Sequence, residues 1–190
     1  DISFNAVETS NMNFCVFRNW DTMFINATYG GGLNLDDCEF VNMRRAIQHQ
    51  SSTQLVLNRC IFRNCADIPV VLAAADLKFK HCLFKDNITQ GSQFLFASAS
   101  TLVLEECFME NCQSMGTFAS RGFMDLNTFA NTVTITNCEF KQCRAVSYGI
   151  FYQGNNTTLT TTGKSNFDFV GVDWFMRDCL NANFVLSAVD

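Results

Sequence analysis

The chain has 190 residues, 48% of them hydrophobic and 16% charged, with 20 Phe and one Pro, which excludes disordered and collagen-like classes and supplies one domain with an ample core. With 13 Lys and Arg against 18 Asp and Glu, a net charge of −5, it has no basic face to neutralise phosphates, so nucleic acid is not an expected partner. No apolar run reaches the ~20 residues of a membrane-spanning helix, and an opening Asp1 without a basic-then-apolar leader suggests a processed mature chain or a fragment of a longer one.

Read from the N-terminus, one pattern recurs: FCVFRNW around Cys15, LNLDDCEFVNM around Cys38, LVLNRCIFRNC around Cys60, LKFKHCLFKDN around Cys82, LVLEECFMENC around Cys107 and VTITNCEFKQC around Cys138. The Cys-to-Cys steps are 23, 22, 22, 25 and 31 residues. A degenerate copy at SNFDFVGV is expected to place Phe167 in the Cys column and Phe169 in the Phe column. Each unit opens with an alternating apolar pair such as Leu55 and Leu57, which is the strand signal, and two polar residues then interrupt the alternation as a bend. After the Cys and Phe comes an Asn, then a second apolar patch such as Val70-Val71-Leu72 or Gly149-Ile150-Phe151. No segment offers the ~10–12 residues of helical periodicity that an outer helix would need.

These units predict an all-β solenoid of about seven coils with three short strands per coil, one domain over residues 1–190, its first coil from about residue 11 and degenerate last coils over 166–190. The alternative is a leucine-rich horseshoe, since Leu-x-Leu-x-x-Cys-x-Phe also fits that repeat. Against it, the position three residues before the Leu-x-Leu pair holds Gly30, Ser52, Ala74, Ala99 and Ala130.

The columns have structural explanations. Cys15, Cys38, Cys60, Cys82, Cys107 and Cys138 read as small fillers inside a narrow tube. A coil-to-coil disulfide is permitted by the ~4.8 Å strand spacing, although parallel side chains keep the Cβ atoms wider than the ~3.8 Å a bridge prefers. Cys65, Cys112 and Cys143 form a second column at a less regular bend, with Cys112–Cys143 the candidate disulfide. No metal site is expected, because Cys60/Cys65, Cys107/Cys112 and Cys138/Cys143 have four intervening residues and no organised His; His49 and His81 read as ordinary surface or bend residues. Phe17, Phe40, Phe62, Phe84 and Phe140, with Met109 the exception, read as a stacked core. Asn19, Asn42, Asn64, Asp86, Asn111 and Gln142 read as left-handed bend residues whose amides can bond up and down the stack.

Asn-x-Ser/Thr sequons at Asn26, Asn87, Asn155 and Asn156, with ten Cys, favour an extracellular or cell-surface glycoprotein. The Cys-x-Phe-x-Asn units and the following small-residue-plus-Phe strand, as in CRAVSYGIFY, resemble the right-handed parallel β-helix of pectin-lyase-like proteins, and most closely the repeats of polymorphic outer-membrane and autotransporter surface proteins, over roughly residues 11 to 172. The resemblance implies the fold and raises polysaccharide binding or cleavage as an alternative function. Candidate catalytic groups for cleavage are Asp36, Asp37, Glu105, Glu106, Arg44, Arg45 and Lys80, yet the acidic pairs fall in the polar bend, so an enzyme is not expected and neither is a cofactor.

Two apparent insertions, Ser120 to Asn131 and Gln153 to Asn166, are candidate recognition loops. The Thr-rich run TTLTTTG within the second occurs once, without the coil-to-coil repetition of a flat ice-binding face. Neither end carries a polar or helical cap, and LNANFVLSAV reads as more strand. The expected function is therefore a secreted structural or adhesive element, part of a surface filament or stalk, whose partners are copies of itself stacked end to end, other surface or matrix components, or glycans.

Overall fold

The computed structural model describes residues 2–3, 8–21, 25–27, 31–49, 53–66, 70–72, 76–89, 95–96, 101–115, 123–125, 132–145, 149–152, 156–172, 174–177 and 183–186. Every described regular element is a strand, and all the strand pairings are parallel. The first sheet stacks eight strands, among them Leu33–Asp36, Leu55–Asn58, Leu77–Lys80, Thr101–Glu105, Thr132–Thr136 and Thr158–Thr162. The second carries the Phe column on Val16–Trp20, Glu39–Met43, Ile61–Arg63, Leu83–Lys85, Phe108–Glu110, Glu139–Ala145 and Asn166–Val170. The third runs from Ile2–Ser3 to Trp174–Arg177 and is again eight strands deep.

Each strand pairs with its counterpart in the next coil, so the chain winds as a three-sided parallel solenoid. The leucine-rich horseshoe is set aside, since the segments after each Asn form the third sheet rather than helices. The ladders stack eight strands where seven coils were expected, because Asn183–Val185 pairs with Thr158–Thr162 as a further rung.

Registry turns the sequence repeat into columns. Leu33, Leu55, Leu77, Leu102, Val133 and Leu159 pair in succession, as do Leu35, Leu57, Phe79, Leu104, Ile135 and Thr161. All are buried. Phe17, Phe40, Phe62 and Phe84 stack at centroid distances of 4.9, 4.7 and 4.9 Å, the last two pairs within 5° of parallel. Met109 interrupts the stack, which resumes with Phe140 on Phe167 at 4.8 Å.

The corners explain the polar pair before each Cys. Phe14, Asp37, Arg59, His81, Glu106 and Asn137 all have φ between 51° and 56°, a conformation costing an L-residue roughly 1–2 kcal/mol. What offsets it is the backbone ladder continuing round the bend. Asp37 N donates to Asn58 O, Arg59 N to Lys80 O, His81 N to Glu105 O and Glu106 N to Thr136 O, at 2.8–3.0 Å. A second left-handed corner follows the Phe strand at Asn19, Asn42, Asn64, Asp86, Asn111 and Gln142, with φ of 51–58°. There Asn42 Nδ2 donates to Asn19 Oδ1 at 2.9 Å and Asn111 Nδ2 to Asp86 Oδ1 at 2.8 Å.

The seventh coil corrects the expected alignment by two residues. Phe167 lies in the Phe column opposite Phe140, Phe169 lies opposite Cys143, and buried Ser165 takes the Cys position, its Oγ accepting from Cys138 N at 3.2 Å. The cause is one extra residue at the first corner, where Gly163 (φ +67°) passes so close to Asn137 that a Cβ would overlap its Oδ1. One residue fewer between Phe167 and Phe169 than between Phe140 and Cys143 restores the register. Thr158–Thr162 is accordingly a core strand of this coil, and residues 158–162, 165 and 166 of the supposed insertion Gln153 to Asn166 belong to the sheets rather than to a loop. Of the other supposed insertion, Ser120 to Asn131, only 123–125 lie within the described residues.

Phe62 is fully buried between two parallel rings. Phe62→Ala should cost roughly 3–5 kcal/mol in urea denaturation, whereas Arg63→Ala on the outer face of the same strand should be nearly silent.

Candidate functional site

The outward side chains of the first sheet and its corner carry the charges that sequence reading offered for catalysis. Asp36, Asn58, Lys80 and Glu105 are successive register partners, so Asp36 and Glu105 stand three rungs apart, ~14 Å at ~4.8 Å per rung. Glycosidic cleavage needs carboxyl groups within about 5–9.5 Å, which Asp36 and Glu105 do not provide, while the neighbouring Asp36 and Asp37 share one cation, Arg59 Nη2, at 3.6 and 2.7 Å. Each group is instead committed to a neighbouring coil. Arg59 grips Asp37 through Nε and Nη2, both at 2.7 Å, Lys80 meets Glu105 at 2.6 Å, and Glu106 meets His81 at 3.1 Å. The Arg59 hydrogen bonds hold the Asp37 carboxyl below its usual range, and Lys80 does the same for Glu105. Arg44 and Arg45 lie beyond the Asn corner, away from both acidic pairs. Among the described residues, no three metal-ligating side chains converge.

The second sheet repeats this arrangement. Glu110 takes Lys85 at 2.7 Å and Lys141 at 3.4 Å, while Glu39 stands 3.6 Å from Arg18 and 3.9 Å from Arg63. These pairs are solvent-exposed, so they define the rod's surface pattern more than its stability.

The first sheet changes character further along. Thr132, Thr134 and Thr136 face outward and pair in register with Thr158, Thr160 and Thr162, with Thr101 preceding Thr132. Thr136 and Thr162 share a hydroxyl hydrogen bond of 2.7 Å. The threonine run therefore does repeat from coil to coil, contrary to the sequence expectation. The repetition was hidden because TVTIT and TLTTT are separated by an irregular step.

Inside the tube, Cys38, Cys60, Cys65, Cys82, Cys107, Cys112, Cys138 and Cys143 are buried and free, and Cys15 is half-buried and free. The candidate Cys112–Cys143 disulfide is not formed. Cys112 Sγ donates to Phe84 O and Cys143 Sγ to Met109 O, equivalent carbonyls one coil apart, at 3.4 and 3.5 Å. The two sulfurs thus keep one strand spacing between them, far beyond the ~2.05 Å of an S–S bond. The second column also contains Asn87, which its sequon marked as a surface glycosylation candidate but which is fully buried between the coils of Cys65 and Cys112. Its Oδ1 accepts from Cys65 N at 2.8 Å and its Nδ2 donates to Phe62 O at 3.1 Å. Asn87 is therefore removed from the glycosylation candidates, since its amide is consumed inside the core. Asn156 is an exposed turn residue, the side chain of Asn26 is not described, and Asn155 lies outside the described residues.

A rod of parallel coils with a filled interior defines the class: a parallel β-helix. The chain belongs to the right-handed β-helix family, whose model, described as "Right handed beta helix region", matches residues 2–103. A search of curated proteins returned no match. The family includes both enzymes and structural proteins.

Burial pushes the Cys38 and Cys65 thiols up to about 11 from an ordinary 9.0. Their protonated form is favoured by folding, so their contribution is complete below pH 9 and is lost as pH rises through 11. Urea midpoints should fall between pH 9 and 11, and at pH 8 iodoacetamide should modify these two thiols far faster in denaturant than in the folded protein.

Proposed function

We propose that the protein is a structural or adhesive rod of the cell exterior, stacked end to end with further β-coils. The observation that carries this reading is where apolar surface is left uncovered. Among the described residues, Phe14 (80% exposed), Val16 and Trp20 lie on one terminal coil, Val170, Val185 and Leu186 lie at the other end, and Ile88 is the one exposed large apolar side chain between them. Exposed apolar surface confined to the two ends of a solenoid suits contact with another coil. Parallel edge strands have unpaired donors and acceptors that such a coil would satisfy. The covering coils belong to a second copy or to the same polypeptide beyond this stretch. In the first case the contact is heterologous and grows an open fibre.

A non-catalytic role is supported by the dispersal of the charged groups into coil-to-coil pairs. The adhesive part of the reading draws on the threonine platform, an uncharged run of register-paired hydroxyls on a rod that carries paired charges at other described outer positions. Placement outside the cell now rests on Asn156 more than on Asn87 or the cysteines, because the nine described thiols are unbridged and Asn87 is internal.

The end-to-end reading is tested by light scattering and electron microscopy of the purified chain. Wild type should form elongated assemblies that lengthen with concentration, and replacing Val185 and Leu186 by Lys should abolish them without altering the circular dichroism of the strands. A wild-type protein that stays monomeric at high concentration sinks self-stacking. For the exterior location, the protein expressed through a secretory pathway should lose a glycosidase-sensitive mass increment on Asn156→Gln.

A further inference from the structure

The thiol hydrogen bonds repeat through the middle of the central cysteine column, while Cys15 and Cys138 at its ends keep only the bond to the carbonyl two residues before them. Cys38 Sγ donates to Asp36 O and Met12 O at 3.4 and 3.5 Å, and Cys60 Sγ to Asn58 O and Leu35 O at 3.5 and 3.3 Å. Cys82 Sγ donates to Lys80 O and Leu57 O at 3.3 and 3.4 Å, and Cys107 Sγ to Glu105 O and Phe79 O at 3.5 and 3.2 Å. Each of these four thiols addresses the carbonyl two residues before it and, one coil down, the carbonyl aligned with the residue three before it. The four side chains therefore share one orientation, and their sulfurs repeat at the strand spacing of ~4.8 Å.

That spacing is too wide for a disulfide, which needs Cβ atoms ~3.8 Å apart. It is close to twice the ~2.3 Å bond between a thiolate sulfur and a d10 metal ion such as zinc. An ion midway between two successive sulfurs would thus be held from both sides, in a line, with little movement of either coil.

We propose that the column Cys15, Cys38, Cys60, Cys82, Cys107 and Cys138 binds soft monovalent d10 cations, Cu(I) foremost, each between two thiolates of adjacent coils, with Cys60 and Cys82 the first pair to fill. Thiolate sulfur selects Cu(I) over hard cations, and a tetrahedral ion finds no third or fourth ligand among the described residues. The binding step is a proton exchange: one cation and two thiols give a linear bis-thiolate of charge −1 and two protons released to solvent. Nothing is oxidised or reduced, the copper arriving as Cu(I).

The charge left behind selects the pair. Cys38 follows Asp36 and Asp37, and Cys107 follows Glu105 and Glu106, so an anion there would meet like charge. Cys60 follows Arg59 and Cys82 comes two residues after Lys80, cations on the pair's own coils and so nearer to it than the Asp37 and Glu105 carboxylates bound to them from the flanking coils. The sequence spacing rules for metal sites do not register this arrangement, because the ligands are 22 residues apart in the chain and neighbours only through the coil.

The experiment uses the folded, reduced protein, titrated anaerobically with Ag(I) as the probe for Cu(I) and followed by native mass spectrometry, proton release and X-ray absorption at the silver edge. The first equivalent should be bound by two sulfurs in line and release two protons. Cys60→Ser and Cys82→Ser should each weaken that first equivalent and leave the saturated protein with one ion fewer. Cys65→Ser should leave the first equivalent unchanged, since Cys65 lies between the coils of Met43 and Asn87 and has no thiol above or below it. Serine already occupies this column at Ser165, so the variants should fold, which circular dichroism checks. No ion on the folded protein, three or more sulfurs per silver, or an equal loss in Cys65→Ser would each overturn the proposal.

Discussion

Everything in this rod depends on the parallel backbone ladder surviving two sharp corners in every coil. A parallel sheet normally ends where its strand ends. Here the residue before each Cys adopts a left-handed conformation and still donates its N–H to the next coil, and the residue after the Cys donates to the preceding one: Ile61 N reaches Cys38 O, Leu83 N reaches Cys60 O and Phe108 N reaches Cys82 O, all at 2.9 Å. Because the ladder does not break, each coil must repeat the last almost atom for atom. The columns of leucine, cysteine, phenylalanine and asparagine are the side-chain record of that requirement.

The requirement also explains what was legible in the sequence. Inward positions see the same neighbours in every coil, so Leu55, Cys60 and Phe62 return as near-identical letters, and fold class follows from their period. Outward positions see solvent and can vary freely, which is why the threonine platform and the paired charges left no repeating signature. The seventh coil defeated letter matching for a different reason. An added residue at Gly163 and a deletion two strand positions later cancel in space but not in the string. Hydrogen-bond registry reads Phe167 and Ser165 correctly where alignment on the aromatic residues did not.

Asn87 marks a limit of another kind. Its sequon predicts a surface, yet its column is otherwise built from Met43, Cys65, Cys112, Cys143 and Phe169. A buried amide is tolerable only where all its bonds are met, and here the backbone of the coil below supplies an N–H from Cys65 and a carbonyl from Phe62. A sequence-local motif carries no information about a partner 22 or 25 residues away. The same blindness conceals the vertical pairing of the thiols.

Ser165 shows what the central column asks of its occupants. Serine is not a hydrophobic filler, so apolar burial alone does not account for it, whereas cysteine and serine share a small volume and a polar γ-atom that a corner backbone can use. In the coils of Cys38, Cys60, Cys82 and Cys107 that atom donates to two carbonyls, and in the seventh coil it accepts from Cys138 N. The position selects for a small side chain able to engage exposed backbone at the corner, and cysteine meets that need with the least desolvation. A consequence of this packing choice is a line of six thiols at the spacing of a strand ladder, so that any affinity of the column for soft ions originates in the geometry that makes the coil turn.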